Sequence, residues 1–282
     1  MQSKRYGYSY TLPLIIWIFL FFLVPLCIIF MYSFLKKGLY GGVIYEFSLK
    51  AYQSLLNPSL FAVFFNTLYI SILATFFIIM LAIPTSYFIA RSNHKNLLLF
   101  LIIIPFWTNF LIRIYAWIAI LGNNGFLNQF LLRFHLIENN VQFLYNPAAV
   151  ILVLTYTYLP FAILPLYSTI EKFDFSLLEA ARDLGATKFQ SFIKVLIPNV
   201  RSGIFSAILF SFIPAFGAYA IPQLVGGINS FMLGNIIARE LTVTRNWPLA
   251  SAMSTMLTLL TLLSIIIFMR QNKKNSGKEE KV

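Results

Sequence analysis

Residues 171–202, EKFDFSLLEAARDLGATKFQSFIKVLIPNVRS, carry the most regular set of spaced functional groups in the chain. Glu179, Ala180 and Ala181 are followed after three residues by Gly185, and after nine more by Val195, Leu196, Ile197 and Pro198. Ser176 stands three before Glu179, the spacing of a capping box, and Leu177 to Leu184 are good helix formers. Gly185 reads as a left-handed stop. Thr187 and Gln190 repeat the capping-box spacing, and the second helix is expected to run until Pro198 forbids its continuation. Phe189, Phe192, Ile193 and Leu196 fall at i, i+3, i+4 and i+7, an apolar face opposite Lys188, Gln190, Ser191 and Lys194. A carboxylate and an apolar ridge on a bent helix pair suit docking into a groove; they do not suit bond-making.

A second group lies in IIIPFWTNFLIRIYAWIAI. Asn109, Arg113 and Trp117 lie four apart on one face, with Phe106 just behind. A charge inside an apolar run is costly and points to function. Two roles are open to Arg113: lining a polar path, or snorkelling and tying helices together. Trp107, Tyr115, Trp117 and Tyr219 offer aromatic faces to a cation, and each can equally serve packing or an interfacial belt.

Other chemistry is poorly supported. The nine carboxylates all lie outside the apolar runs, so a coupling acid at mid-membrane depth is missing. There is no G-x4-G-K-[ST] phosphate loop. His94 and His135 have no ligand-like spacing to other donors, so no metal site is expected, and no other cofactor is called for. Cys27 lies in an apolar run and is expected to be a small core residue. Ser191 and Lys194 match S-x-x-K without the companion motifs of the enzymes that use it.

The elements that position these groups are membrane spans. With 59% hydrophobic residues, 11% charged and a mean hydropathy of +0.80, the chain is an integral membrane protein. The expected architecture is all-α, one permease domain over 1–282, with spans at about 12–34, 62–90, 97–121, 148–170, 203–222 and 249–269. The stretch 35–61 is polar and turn-rich, and the tail 270–282 is expected to be disordered. Six spans put both termini on one side. That side holds 14 Lys and Arg in its loops and tails against 6 on the other, which places the termini and 171–202 in the cytoplasm. Gly203, Ala207, Ser211 and Ala215 form a small-residue ridge for close helix approach. Ser251, Ser254, Thr258 and Thr261 form a hydroxyl stripe that bonds back to its own helix or lines a polar path. Pro214 and Pro222 are expected to break the fifth span near its outer end.

The pattern from Glu179 to Pro198 resembles the EAA loop of ABC importer permeases, EAA-x3-G-x9-I-x-L-P; Val195 and Ile197 depart from it but remain apolar. IIPFWTNFLIRIYAW, YLPFAILPLYSTIEKFDFSLLEAARDLGA and RNWPLASAMS resemble the PotB-type permeases of spermidine/putrescine importers, over about residues 52–269. The resemblance implies a type I (MetI-like) permease of the bacterial inner membrane, not itself an enzyme. It further implies two ATPase subunits gripping the EAA loop, a second related permease, an extracytoplasmic polyamine-binding protein and a polyamine substrate. A permease of the same build for an oxyanion or ferric ion, and an ATP-independent channel or carrier, are the alternatives.

Overall fold

A computed structural model describes the backbone of residues 3–279. The helices run in the order α1 (Ser3–Ile18), a π turn (Phe19–Leu23), α2 (Val24–Tyr32), α3 (Lys50–Leu55), α4 (Pro58–Arg91), α5 (Lys95–Trp107), α6 (Phe110–Leu121), α7 (Phe126–Arg133) and α8 (Pro147–Ile170). Then follow α9 (Ser176–Asp183), α10 (Lys188–Ser191), a second π turn (Phe192–Leu196), α11 (Ile197–Asn199), α12 (Arg201–Phe216), α13 (Ala220–Val225), α14 (Leu233–Thr242) and α15 (Trp247–Glu279). Among the described residues, five segments are long and apolar enough to cross a membrane: 11–32, 58–91, 110–133, 147–170 and 247–266. The pair 188–199 and 201–216 passes the same test only when taken together and is bent by 74° at its break. The chain forms two compact units, residues 1–62 with 236–262, and residues 63–235 with 263–282.

The larger unit is built on α4, α8 and α12. Asn146 caps α8, its side-chain oxygen accepting from Ala149 N at 2.9 Å, and Pro147 occupies the first turn, where its missing N–H costs nothing. Gly203, Ala207, Ser211 and Ala215 are all buried along α12. A Cβ at Gly203 would meet the Thr169 side chain of α8 at 2.5 Å, so the ridge brings the two backbones together. Ile78, Ala82, Ile89, Ala162, Ile163, Leu166 and Ala207 close this core, and Ser86 Oγ donates to the Ile163 carbonyl across α4 and α8 at 3.2 Å.

The expected third span, 97–121, is not one helix. It breaks at Thr108–Asn109, between α5 and α6, and the span-length segment is 110–133. The cause is local. Thr108 Oγ1 donates to the Pro105 carbonyl at 2.6 Å and Asn109 Oδ1 accepts from Leu111 N at 2.9 Å, so two polar side chains end one helix and cap the next. The fifth span also differs from 203–222. Helix α12 passes through Pro214 and ends at Phe216, and Pro222 lies inside α13; the break falls at Gly217–Tyr219, where no proline stands.

In the smaller unit the stretch 35–61 folds further than expected. Strands β1 (Leu35–Lys37) and β2 (Val43–Phe47) pair antiparallel, with Lys36 opposite Ile44 and Lys37 opposite Val43. Gly41 (φ 96°) and Gly42 (φ 74°) make the turn, and Gly42 N donates to the Arg245 carbonyl at 2.9 Å. A Cβ on Gly41 would fall 2.4 Å from that of Arg245, so this close approach requires glycine. Cys27 is exposed, not a core residue: α2 buries no side chain against the chain itself. In the hydroxyl stripe, Thr258 Oγ1 bonds back to Ser254 O and Thr261 Oγ1 to Thr258 O, both at 2.8 Å. The tail expected to be disordered continues α15 as far as Glu279, where the span has already formed the nucleus that each added residue extends. Residues 280–282 of that tail lie outside the described residues.

Candidate functional site

The polar interruption at 171–202 forms a bracket packed on the ends of α4, α8 and α12. Ile170, Leu178, Leu196 and Val200 form a small buried core, with Tyr87, Phe173, Phe175 and Phe192 packed around it. Arg91, the last residue of α4, donates to Tyr87 Oη at 3.0 Å and lies 5.7 Å from the Phe175 ring centroid. Lys95 and Glu171 form an ion pair at 2.6 Å, and Lys95 first and then the Tyr167 hydroxyl hold the Glu171 carboxyl below the usual range.

The bracket begins differently from the expected capping box. Ser176 is already helical, and its N–H donates to Asp174 Oδ1 at 3.0 Å; Asp174 supplies the cap, and the Ser176 hydroxyl and N–H hold its carboxyl below the usual value. Helix α9 then stops as its composition requires. Gly185 has φ 91°, with Gly185 N donating to Arg182 O and Ala186 N to Ala181 O at 3.0 Å, the paired bonds of a Schellman stop. Thr187 and Gln190 make the reciprocal capping box at 3.1 and 3.0 Å.

The second helix runs through Pro198 to Asn199, because the π turn at Phe192–Leu196 loosens the hydrogen-bond ladder just ahead of the proline. Asn199 Nδ2 takes the Val195 carbonyl at 2.7 Å. The π turn also divides the face expected from Phe189, Phe192, Ile193 and Leu196. Leu196 is fully buried and Phe192 half-buried, while Phe189 is 72% exposed and Ile193 46%. Leu184, 90% exposed beside the hinge, joins Phe189 as bare apolar surface. Glu179, Ala180, Gly185 and Pro198 are exposed; Ala181, Val195 and Ile197 are half-buried. Outward-facing groups thus come from both helices, and the inward ones fix their angle.

The second residue group does not converge. Asn109 is a helix cap and does not extend the Arg113–Trp117 face. Arg113 sits 5.1 Å over the Phe106 ring, bridging the break between α5 and α6, and its Nε is buried without a hydrogen-bond partner. Phe106 packs edge-on against Phe161 of α8 at 5.0 Å, and Trp117 against Tyr156 at 5.4 Å. Tyr115 is exposed on the opposite side of α6, two residues from both Arg113 and Trp117. Trp107 is exposed beside the break, and Tyr219, exposed at the α12–α13 break, accepts from Asn235 Nδ2 through its carbonyl at 3.0 Å.

That last bond belongs to a polar knot that no motif or spacing in the sequence marks. Asn235 also donates to Gln223 Oε1 and accepts from Met232 N, both at 3.0 Å. Thr67 Oγ1 accepts from Leu233 N at 2.9 Å, and Asn66 Nδ2 donates to Phe231 O at 3.0 Å. The knot pins irregular backbone at 217–235 to the first turns of the α4 rod. The bracket pins the rod's far end. Thr67 and Tyr87 stand about 30 Å apart along the rod, the thickness of a bilayer's hydrocarbon core.

The chain is 39% identical over 259 residues to the spermidine/putrescine transport system permease protein PotB of Escherichia coli K12, covering 91% of this chain and 94% of that one. It is 39% identical over 261 residues to PotB of Haemophilus influenzae, covering 91% of each. Against the Escherichia coli inner membrane ABC transporter permease protein YdcU the identity is 30%, over 74% of this chain and 71% of the relative. Among solved structures, a bacterial ABC transporter involved in import of the acidic polysaccharide alginate matches with TM-score 0.77 at 17% identity, over 97% of this chain and 96% of that one. The model of the binding-protein-dependent transport system inner membrane component matches residues 8–275, and with it the multi-pass, bracket-bearing chain is placed: it belongs to that family, the permeases of ABC importers.

Proposed function

We propose that this chain is one of two permease subunits in an ATP-driven importer of polyamines, working with a second, related permease, two ATPase subunits and an extracytoplasmic binding protein that delivers spermidine or putrescine. The observation that carries the reading is the bracket at 171–202. It is braced from within by Leu178, Leu196 and Val200 and offers Glu179, Leu184 and Phe189 outward, as a lever gripped by a motor must. The loop charge balance supports a cytoplasmic position for that lever and for both termini. ATPase closure then moves the bracket and the helices it is seated on as one body. The polyamine class is carried over from the 39% identity to the PotB relatives.

A polyamine is a flexible polycation, met in transit by aromatic faces, carbonyls and carboxylates. This chain's contribution is aromatic and carbonyl: Trp107, Tyr115 and Tyr219 are exposed, whereas Trp117 is engaged with Tyr156. Carboxylates come from the second permease or the binding protein. Arg113 would favour an anion, but its guanidinium is spent on the Phe106 face, which fits a tie between helices better than an anion site.

The test is uptake into proteoliposomes holding the four-subunit complex. ATP-dependent spermidine uptake, competed by putrescine and untouched by sulfate or phosphate, is expected. Uptake without ATP, or competition by the anions alone, would overturn the reading.

A further inference from the structure

Two clefts in the unit formed by residues 1–62 and 236–262 lie between the same two stretches of chain. One, of about 250 Å³, is lined by Lys36, Lys37, Lys50, Ser48, Asn246 and Pro248 among others. The second, of about 210 Å³, is almost wholly apolar and is lined by Leu26, Ile29, Phe30, Thr255, Thr258 and Leu259 with Cys27. Pro248, Thr255 and Leu259 stand at i, i+7 and i+11 of α15, so both clefts open on one face of that helix, about 10 Å apart along it. Tyr32 and Trp247 stack at 6.2 Å, and Trp247 stands between Asn246 and Pro248 at the level of the lysine cleft. Stacked amphipathic rings of this kind mark the headgroup depth of a bilayer. The lysine cleft therefore lies at headgroup height and the apolar cleft at acyl-chain height.

We propose that this face seats one anionic phospholipid, its phosphate on Lys37 and Lys50 and an acyl chain along Leu26, Phe30 and Leu259. The assignment to the outer leaflet rests on the orientation given under Proposed function. Charge selects the ligand. Lys36 is paired with Glu46 at 2.8 Å, while Lys37 and Lys50 are exposed and form no ion pair among the described residues. Two free ammonium groups above an apolar groove match a phosphodiester carried on a diacylglycerol. A free inorganic anion has no use for the groove, and a polyamine is repelled by the lysines.

The experiment is native mass spectrometry of the full chain in neutral detergent, titrated with phosphatidylglycerol or phosphatidylethanolamine of the same acyl chains. Phosphatidylglycerol is expected to be retained preferentially. Lys37→Gln with Lys50→Gln removes about fivefold per lysine, roughly 25-fold together. Leu259→Trp, which fills the groove, weakens retention with both lysines intact, and excess glycerol phosphate fails to displace the lipid. Equal retention of the two lipids, or undiminished phosphatidylglycerol binding in the double lysine variant, overturns the proposal. So does displacement by glycerol phosphate, which marks a free-anion site. Loss of binding-protein docking in the lysine variant with lipid retention unchanged would give the surface to that protein instead. The readout in detergent is independent of sidedness. Labelling of Ser48→Cys, in a Cys27→Ala background, by an impermeant maleimide on intact cells tests orientation separately; labelling only after permeabilisation overturns the outward orientation and moves the lipid to the other leaflet.

Discussion

Two residues carry more of the working geometry than their neighbours. Gly185 holds φ 91° at the hinge, and a Cβ there would meet nothing within 4 Å. Any penalty for substitution is therefore backbone strain and not a clash. A β-branched residue in that conformation costs about 1–2 kcal/mol, whereas asparagine tolerates it. Gly185→Asn is expected to keep the melting temperature and the ATP-coupled uptake of the assembled importer near wild type, and Gly185→Val to lower both; equal behaviour of the two would show that the hinge angle is immaterial. Arg113 is the other case. Its position over Phe106, with Nε buried and unpartnered, ties the two halves of a broken helix by cation–π attraction. A double-mutant cycle of Arg113→Gln and Phe106→Leu, read by denaturation in detergent, should return a coupling of about 1 kcal/mol. Strict additivity would free Arg113 for a role in the path.

Elements were legible from sequence where one physical cause acts along the whole segment. The bounds of α8 follow from an Asn–Pro start and an unbroken apolar run, and the α12 ridge from small residues repeated every four. They were illegible where a single local bond decides the matter. Two hydrogen bonds from Thr108 and Asn109 cut the expected third span, and a π turn re-aimed Phe192 and Leu196 without leaving any mark on composition. The polar knot was hidden for a different reason: Asn66 and Phe231 are 165 positions apart, and no window along the chain joins them. The bracket's own seating gives a test in pH. The carboxyl of Glu171 is held below its ordinary 4.5 by Lys95 and Tyr167, so the stabilisation is present at neutral pH and lost as pH falls through that lowered value. Compared with wild type, Glu171→Gln should melt lower at neutral pH, and the gap should close on acidification below 4.5. A gap that persists in acid would trace the effect to packing and not to the ion pair. At the α8–α12 contact, Gly203→Val is expected to cost about 1–3 kcal/mol, since the Thr169 side chain occupies the space a Cβ needs; unchanged melting would mean that the two helices separate freely.

At the scale of the molecule, α4 joins two pinned ends. Its first turns are fixed to the 217–235 knot by Asn66 and Thr67, and its last by Arg91, Tyr87 and the aromatic seat of the bracket. A helix pinned at both ends transmits displacement only while both pins hold, and any claim that it couples the two sides needs a variant that cuts one pin alone. Thr67→Val is that variant. It keeps the volume and removes the acceptor of the Leu233 N–H, which costs about 1–3 kcal/mol locally and leaves the bracket about 30 Å away untouched. In the reconstituted complex, basal ATP hydrolysis should stay at the wild-type rate, because the bracket proposed above to meet the ATPase is intact. Stimulation of that hydrolysis by the substrate-loaded binding protein should fall, because the signal enters at the outer end. Arg91→Gln, which loosens the inner pin, should lower basal and stimulated rates together. Full stimulation in Thr67→Val would mean that the outer signal reaches the motor by a route other than α4, through the second permease or through α8 and α12.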